Sequence, residues 1–158
     1  MIVCGFPGIG KTHLTQMVEA LPYGFKVVDS DSSKFPKQPD GVFPENYIEH
    51  LRDLDRHGNN IILASTHADV RSALQSAGLD FVTVIPDTAC KEEYLQRYQR
   101  RGSAQQFIDL LDKQWMPWLT DCIVNCGQGV YVLQQHQYLF DALPEIIRDY
   151  RARLTVLV

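Results

Sequence analysis

Several features are missing or scarce in this sequence, and each absence excludes a class of protein. No apolar run approaches the roughly 20 residues that cross a membrane. No basic segment precedes a hydrophobic one near the start, as in a secretory signal. The 4 cysteines suit a reducing compartment, and Cys122 and Cys126 lack the second Cys/His pair of a zinc site. We therefore expect a cytoplasmic protein with no membrane partner and with structural thiols.

An excess of positive charge is also missing. The 15 Lys and Arg residues against 19 Asp and Glu residues give a net charge of −4 at pH 7. This balance argues against a broad surface that coats nucleic acid, although it leaves room for a small basic groove. Repeats and linkers are absent too, and the 45% hydrophobic content is that of an ordinary globular protein. The sequence predicts a single domain over residues 1–158.

The most informative stretch is GFPGIGKT at residues 5–12, which matches G-x-x-x-x-G-K-[ST], the phosphate-binding loop. Its glycines permit backbone angles that let successive N–H groups turn around a phosphate. Lys11 is expected to reach the β- and γ-phosphates of ATP, and Thr12 to offer a hydroxyl to Mg²⁺. A purely structural glycine turn is the alternative. The residues predicted to bind the nucleotide are Gly5, Gly8, Ile9, Gly10, Lys11, Thr12 and His13, joined by Arg100.

Short apolar runs alternate with helical patterns along the chain, which is typical of an α/β protein with a parallel sheet. We predict the P-loop nucleotide kinase fold, with a five-stranded parallel sheet and helices on both faces. The predicted strands are 1–4, 25–28, 61–64, 81–85 and 130–133. The predicted helices are 12–21, 45–57, 69–77, 91–101, a helix capped by Ser103 with Gln106 that Pro117 kinks or ends, and 139–153. Residues 31–43 are predicted to form an irregular loop.

Two acidic residues follow the second predicted strand. Asp29 and Asp31 should lie at the carboxyl edge of the sheet, where open α/β folds bind their ligands. There one carboxylate can hold Mg²⁺ and the other can accept a proton from an attacking hydroxyl. The alternative is that both make Asx-turns on leaving the strand. The third strand runs into Ser65-Thr66-His67 without the carboxylate that motor and switch ATPases usually carry there.

Three arginines follow the fourth strand in a lid-like segment around residues 91–106. Arg97 and Arg101 are four positions apart on one helix face, and Arg100 lies beside them. We predict that they neutralise charge on the transferred phosphoryl group, with Arg97 and Arg101 as catalytic residues. A solvated helix face is the alternative.

These three features, in this order, resemble the small P-loop kinases: shikimate kinase, gluconate kinase and the kinase domain of bacteriophage polynucleotide kinase. Shikimate kinases carry a similar Asp-Ser-Asp after the second strand. The resemblance implies that Asp29 serves the metal together with Thr12, and that Asp31 is the catalytic base. The glycine-rich segment that binds shikimate after the third strand is missing, so the acceptor is not expected to be shikimate.

The sequence is also similar to phage-encoded kinases of the 5-hydroxymethyluracil DNA kinase type. The likeness rests on GFPGIGKT, on VDSDSSKF at residues 28–35, on Ser65-Thr66-His67, and on residues 91–102, with Phe107, Trp115 and Trp118 extending it. It implies Mg²⁺- and ATP-dependent phosphorylation of the hydroxymethyl group of a base in DNA, met in a single strand or flipped out of the duplex.

Aromatic side chains are the usual stacking surfaces for such a base. The candidates are Phe35, Phe43, Tyr47, Trp115 and Trp118. Two alternatives remain open: a kinase of a free nucleoside monophosphate or small metabolite, and a P-loop ATPase or regulatory module. Nothing in the sequence indicates a protein partner.

Overall fold

The computed structural model describes residues 1–17, 24–36 and 42–156, and a five-stranded parallel sheet runs through them. In chain order the strands are β1 (Ile2–Gly5), β2 (Lys26–Asp29), β3 (Asn60–Ser65), β4 (Phe81–Pro86) and β5 (Val130–Leu133). Their order in the sheet is β2-β3-β1-β4-β5, and every neighbouring pair is parallel. The predicted boundaries agree with these strands to within one residue.

Six α-helices surround the sheet in the described ranges. They are α1 (Lys11–Gln16), α2 (Glu45–Arg56), α3 (Ala68–Ser76), α4 (Lys91–Arg100), α5 (Gln105–Val124) and α6 (Leu139–Val156). Single turns of 3₁₀ helix lie at Ser32–Lys34 and Thr88–Cys90. None of these helices combines the length and the apolarity that a membrane crossing requires, as far as the described ranges show.

Successive residues of β1 pack on opposite faces of the sheet, as the pleat of a strand requires. Ile2 and Cys4 belong to a hydrophobic cluster with α2 and α3. Val3 belongs to a second and larger cluster, to which α1, α4, α5 and α6 contribute. Because both faces are covered, the central strands are apolar throughout rather than alternating. The predicted α/β fold with helices on both faces is therefore confirmed.

One prediction about α5 is wrong, and a second is wrong in part. The helix begins at Gln105 after Ala104, and no side chain caps it, so Ser103 and Gln106 do not form a capping box. Pro117 lies inside the helix, so of the two predicted effects, a kink or an end, it does not end the helix. Trp115 and Leu119, on either side of the proline, are buried in the core, and this packing compensates for the missing N–H donor.

Parts of two predicted segments lie outside the described residues. The first helix is described only as far as Gln16, so its predicted second half at 18–21 is not covered. The predicted loop at 31–43 contains the 3₁₀ turn, and its residues 37–41 are not covered either. The four cysteines are all free thiols, and Cys4, Cys90 and Cys122 are buried.

The sheet places three segments side by side at its carboxyl edge. Gly5 at the end of β1 pairs with Ser65 at the end of β3, and Asp29 at the end of β2 pairs with Leu63. β3 thus lies between the glycine-containing segment after β1 and the acidic segment after β2. Side chains from all three segments meet at this edge.

Candidate functional site

The segment of residues 5–12, here called the glycine loop, connects β1 to α1. Gly8 and Gly10 have φ angles of +85° and +96°, in the left-handed region that disfavours residues with a Cβ atom. A Cβ atom at Gly10 would also lie 3.1 Å from the Tyr138 ring. The loop conformation therefore requires glycine at both positions.

Protein donors occupy the carbonyl groups of the glycine loop. Arg97 Nη1 donates to the Gly8 carbonyl at 3.0 Å, and the N–H of Leu139 donates to the Ile9 carbonyl at 2.8 Å. The backbone N–H groups of Gly8, Gly10, Lys11 and Thr12, in contrast, donate to no acceptor within the described part of the chain. N–H groups that have no acceptor, in a loop whose carbonyl groups already accept hydrogen bonds, can bind an anion.

Lys11 lies folded against the loop that it belongs to. Its Nζ donates to the Gly5 carbonyl at 2.5 Å and to the Phe6 carbonyl at 3.4 Å. Burial lowers the pKa of Lys11 to about 8, and the nearby carboxylate of Asp29 partly offsets this effect. Because burial disfavours the ammonium charge, an anionic ligand that approached it would stabilise the charged form.

The predicted acidic pair, Lys11 and Thr12 line one cavity of about 330 Å³, here called the central cavity. Asp29 and Asp31 border it from the end of β2, and Lys11 and Thr12 from the start of α1. A third wall is formed by the end of β3 and the residues after it, Ser65, Thr66 and His67. These sequence-predicted residues are distant in the chain, and the sheet brings them together.

Asp31 makes the Asx-turn that the sequence left open as an alternative. Its carboxylate accepts a hydrogen bond from the N–H of Ser33 at 2.9 Å, at the start of the 3₁₀ turn. This hydrogen bond lowers the pKa of Asp31. Buried Tyr47 on α2 donates its hydroxyl to the Ser30 carbonyl at 2.6 Å, which fixes the backbone between the two acids. Asp31 both makes this turn and lines the central cavity.

A second cavity of about 490 Å³, here called the arginine cavity, lies on the side of the glycine loop that α4 approaches. All three arginines of the predicted lid line it, together with Gly8, Gly10, His13 and Tyr138. Arg100 and Arg101 are exposed at its rim. The lining has no carboxylate among the described residues, and since Arg97 is paired with Glu93, the excess positive charge of the cavity comes from Arg100 and Arg101.

Arg97 differs from the other two arginines because it is only 9% exposed. Its Nη2 pairs with the Glu93 carboxylate and donates to the Gln137 carbonyl at 2.9 Å. Its guanidinium carbon lies 3.9 Å from the centroid of the Tyr138 ring and 4.4 Å from that of Tyr94. Arg97 therefore connects α4, the glycine loop and the segment before α6, an arrangement that a solvated helix face would not show.

Three further residues shape the site, and sequence reasoning missed them. Tyr138 packs against Gly10 and Arg97, and Glu93 pairs with Arg97. Arg71 is fully buried and donates from Nε to the Thr66 carbonyl at 3.0 Å, and it pairs with Asp121 on α5. The only available signal was local: Glu93 and Arg97 are four positions apart on a predicted helix, the spacing of an ion pair.

The candidate aromatic residues separate into two groups. Phe35 and Phe43 pack on Tyr47, with ring centroids 4.9 and 6.1 Å apart, beside the acidic segment. Trp115 is buried in the core, where its indole N–H donates to the Thr88 carbonyl. Trp118 is half-buried and lines a further cavity. Ile9, predicted to bind the nucleotide, has a fully buried side chain that belongs to the core.

Magnesium requires oxygen ligands, and it commonly takes one or two from protein and the rest from phosphate and water. Thr12 and Asp29 both line the central cavity and offer such oxygens. No cluster of three or more His, Cys, Asp or Glu side chains that could hold a metal ion by itself occurs in the described ranges. The residues present fit a metal ion that enters with a phosphate ligand.

Comparison with known proteins identifies the fold and no family. No family model matches the sequence, and no curated protein matches it. Among solved structures, the chain is similar to an uncharacterised protein from Eubacterium ventriosum. The two share 10% sequence identity over 96% of this chain and 97% of that one, with a TM-score of 0.50. Likeness at this level of identity concerns the fold alone.

Proposed function

We propose that this protein is a Mg²⁺- and ATP-dependent P-loop kinase that phosphorylates a hydroxyl group of a nucleotide-type acceptor. The observation that carries the proposal is the central cavity, where Lys11 and Thr12 of the G-x-x-x-x-G-K-[ST] loop line the same space as Asp29 and Asp31. Phosphoryl transfer needs a charged phosphate cradle and an acceptor-binding carboxylate in one place.

The donor nucleotide is assigned to the glycine loop and the arginine cavity. The free N–H groups of Gly8, Gly10, Lys11 and Thr12 support binding of its phosphates. In the bound state the Lys11 ammonium leaves the Gly5 carbonyl for the β- and γ-phosphates. Arg100 and Arg101, exposed at the cavity rim, are free to turn toward the transferred group.

In the transfer step the acceptor oxygen bonds to the γ-phosphorus, and the bond from that phosphorus to the β–γ bridging oxygen breaks. ADP leaves with the bonding electron pair, and the acceptor proton passes to Asp31. Since its hydrogen bond to Ser33 lowers the pKa of Asp31, this carboxylate is a weak base. Its main contribution is to orient the hydroxyl and to take the proton as the new bond forms.

Mg²⁺ supplies charge neutralisation on the phosphates, and Thr12 and Asp29 are the residues that would hold it. Tyr47 and Arg71 support this arrangement from outside. Tyr47 fixes the backbone of the acidic segment through Ser30. Arg71 fixes the end of β3 through the Thr66 carbonyl.

For the acceptor, the sharpest version of the proposal is the hydroxymethyl group of 5-hydroxymethyluracil in DNA. A free nucleoside monophosphate or other small metabolite is the alternative within the same enzyme class. The ATPase alternative is weakened because the end of β3 borders the central cavity with Ser65, Thr66 and His67 and offers no carboxylate there to orient water.

The experiment that tests the proposal is transfer of radiolabelled γ-phosphate. The acceptor panel contains free deoxynucleoside monophosphates, single-stranded DNA, and single- and double-stranded DNA that contains 5-hydroxymethyluracil. We expect labelling of at least one acceptor, strongest for the hydroxymethylated DNA, and loss of about 10²-fold or more in kcat for Lys11→Ala. ATP hydrolysis without labelling of any acceptor would replace the kinase by an ATPase.

A further inference from the structure

A third cavity of about 570 Å³, here called the aromatic cavity, opens between the start of α3 and the middle of α5. Phe6, Phe107 and Trp118 supply aromatic lining, and Thr66, His67 and Asp69 supply polar groups at the α3 side. Its volume falls in the range of about 300–1,000 Å³ that is usual for small-molecule sites. Nothing in the donor-nucleotide assignment uses this space.

The aromatic cavity adjoins the central cavity. Pro7, Thr66 and His67 line both of them. Pro7 belongs to the glycine loop, and Thr66 and His67 follow β3, so the boundary between the two cavities lies beside Lys11 and the acidic pair. A molecule that occupied the aromatic cavity could extend a substituent past this boundary to the position where phosphate is transferred.

The walls of the aromatic cavity are held in place. Phe6 packs edge-on against the rings of Trp115 and Trp118, with centroids 5.6 and 6.4 Å apart. On the other side, buried Arg71 of α3 donates to the backbone carbonyls of Asp121 and Asn125 in and just after α5. These contacts join α3 to α5, the two helices that border the cavity, and so restrict how far the helices can separate.

Charge and shape narrow the kind of molecule that fits. The described lining contains the carboxylates of Asp69 and Asp121 and neither lysine nor arginine, so it disfavours a phosphate group. Aromatic walls favour a flat unsaturated ring, which can stack or pack edge-on against them. His67, Thr66 and Asp69 offer both hydrogen-bond donors and acceptors to the edge of such a ring.

We propose that the aromatic cavity binds the nucleobase of the acceptor, with the acceptor hydroxyl directed into the central cavity. This inference rests on the proposed kinase function and deepens it by identifying the part of the substrate that is recognised. The sugar and phosphate of the acceptor remain outside the cavity. A base must therefore leave the stack of a duplex to enter it, which favours a flipped or single-stranded base.

The test is equilibrium titration without ATP, so that it does not depend on catalysis, and with inorganic pyrophosphate in excess, so that the glycine loop and the arginine cavity are occupied by an anion that has no ring. The probes are 5-hydroxymethyl-2′-deoxyuridine 5′-monophosphate and, as the ring-free control, 2-deoxyribose 5-phosphate. We expect the nucleotide to bind and the sugar phosphate not to bind. Phe107→Leu should weaken nucleotide binding by about 5- to 150-fold, the range of one base–aromatic stacking contact.

Two further variants keep the test informative if Phe107→Leu is poorly folded. His67→Ala removes an exposed polar group at the cavity boundary, and it should weaken nucleotide binding without a change in melting temperature. Phe25→Leu is the matched control, since Phe25 is half-buried like Phe107 but precedes β2 at the opposite end of the sheet. It should leave nucleotide binding unchanged.

Equal affinity for the nucleotide and the sugar phosphate would overturn this inference, as would unchanged nucleotide binding in both Phe107→Leu and His67→Ala. Two other outcomes distinguish failure of the proposed kinase function from failure of the base site. If nucleotide binding behaves as expected but no acceptor is labelled, the kinase is wrong and the base site stands. If acceptors are labelled and Phe107→Leu leaves the acceptor KM unchanged, the kinase stands and the base site is wrong.

Discussion

Arg97 donates a hydrogen bond to the backbone carbonyl of Gly8 at 3.0 Å, although the two residues are 89 positions apart in the chain. The same guanidinium pairs with Glu93 and donates to the Gln137 carbonyl. One buried side chain thus ties the glycine loop to α4 and to the segment before α6. The conformation of the loop depends on this contact as well as on the glycines themselves.

We therefore predict that Arg97→Ala lowers stability. The substitution removes the ion-pair partner of Glu93, whose partly exposed carboxylate keeps a hydrogen bond from the His136 N–H, so the expected cost is about 1–3 kcal/mol. Thermal or denaturant unfolding measures the effect. Arg100→Ala is the matched control, because Arg100 is exposed and its loss should change the free energy of unfolding by less than about 0.5 kcal/mol. Equal effects of the two variants would contradict a structural role for Arg97.

Loss of Arg101 should affect catalysis and leave stability unchanged, in contrast to loss of Arg97. It is exposed at the rim of the arginine cavity, so Arg101→Ala is expected to leave the melting temperature unchanged. If Arg101 neutralises charge in the transition state, kcat should fall by about 10²-fold or more while ATP affinity changes little. Arg148→Ala, which removes an exposed arginine of α6, is the control for a general charge effect. Steady-state kinetics of both variants separates a lid residue from a solvated one.

The pKa of Lys11 predicts how nucleotide affinity varies with pH. Burial holds this pKa at about 8 in the free protein, against 10.5 for an ordinary lysine, and bound phosphates should raise it again. Binding then takes up a proton, so ATP affinity should fall by up to about tenfold per unit as the pH rises above 8. Titration of a non-hydrolysable ATP analogue between pH 7 and 9.5 measures this. A Lys11→Met variant should bind more weakly and show no such dependence.

The lowered pKa of Lys11 also predicts how the stability of the ligand-free protein varies with pH. The unfolded chain holds the Lys11 proton more tightly than the folded chain does, because the folded-state pKa is the lower one. The contribution of Lys11 to stability is therefore lost as the pH falls through 8 and fully present above 10.5. Relative to Lys11→Met, the free energy of unfolding should rise across that window. A flat difference would contradict the burial of the ammonium group.

Much of the site was predictable because it depends on short-range spacing. The glycine loop directly follows the first strand, Asp29 and Asp31 directly follow the second, and parallel strands end at one edge of the sheet. The sequence alone therefore predicts that Lys11 and the two acids lie close together, and no side-chain contact needs to be known. The five strands were equally accessible, since each contains a short apolar stretch, only Val27 and Val28 in β2.

The contacts that hold the site were not predictable in this way. The pairs Arg97–Gly8 and Arg71–Asp121 join residues 89 and 50 positions apart, and no local pattern marks them. The sequence instead predicted a catalytic lid role for Arg97, equal to that of Arg101. The cap predicted at Ser103 is wrong because α5 begins only after Ala104, and a local pattern fixes a helix boundary only to within one or two residues.

The hydrogen bond from Tyr47 predicts a change in stability, because it holds the backbone between Asp29 and Asp31. Its buried hydroxyl donates to the Ser30 carbonyl at 2.6 Å, between the two acids. Tyr47→Phe removes this donor and should cost about 1–3 kcal/mol of stability, because a buried carbonyl loses its partner. Tyr150→Phe is the control, since that hydroxyl makes no hydrogen bond to any described residue. If both variants unfold alike, the Tyr47 hydroxyl does not hold the segment.

The last prediction separates the two carboxylates of the central cavity. Asp31→Asn keeps the shape of the side chain and can still accept the hydrogen bond from the Ser33 N–H, but it cannot take a proton from the acceptor. Loss of a general base typically reduces the rate by about 10²- to 10⁴-fold. ATP affinity should barely change, because the phosphates are assigned to Lys11 and the loop N–H groups.

Asp29→Asn should show a different defect, since Asp29 is proposed to hold the metal ion. Its activity should recover in part as the Mg²⁺ concentration is raised, whereas that of Asp31→Asn should not. The measurement is acceptor phosphorylation and nucleotide binding for both variants across a Mg²⁺ series. If Asp31→Asn transfers phosphate as fast as the unmodified protein, Asp31 is not the catalytic base. Its role is then limited to the Asx-turn that it makes with Ser33. If neither variant is impaired, the acidic pair serves the backbone alone, and a nucleotide-binding regulatory module becomes the better account of the central cavity.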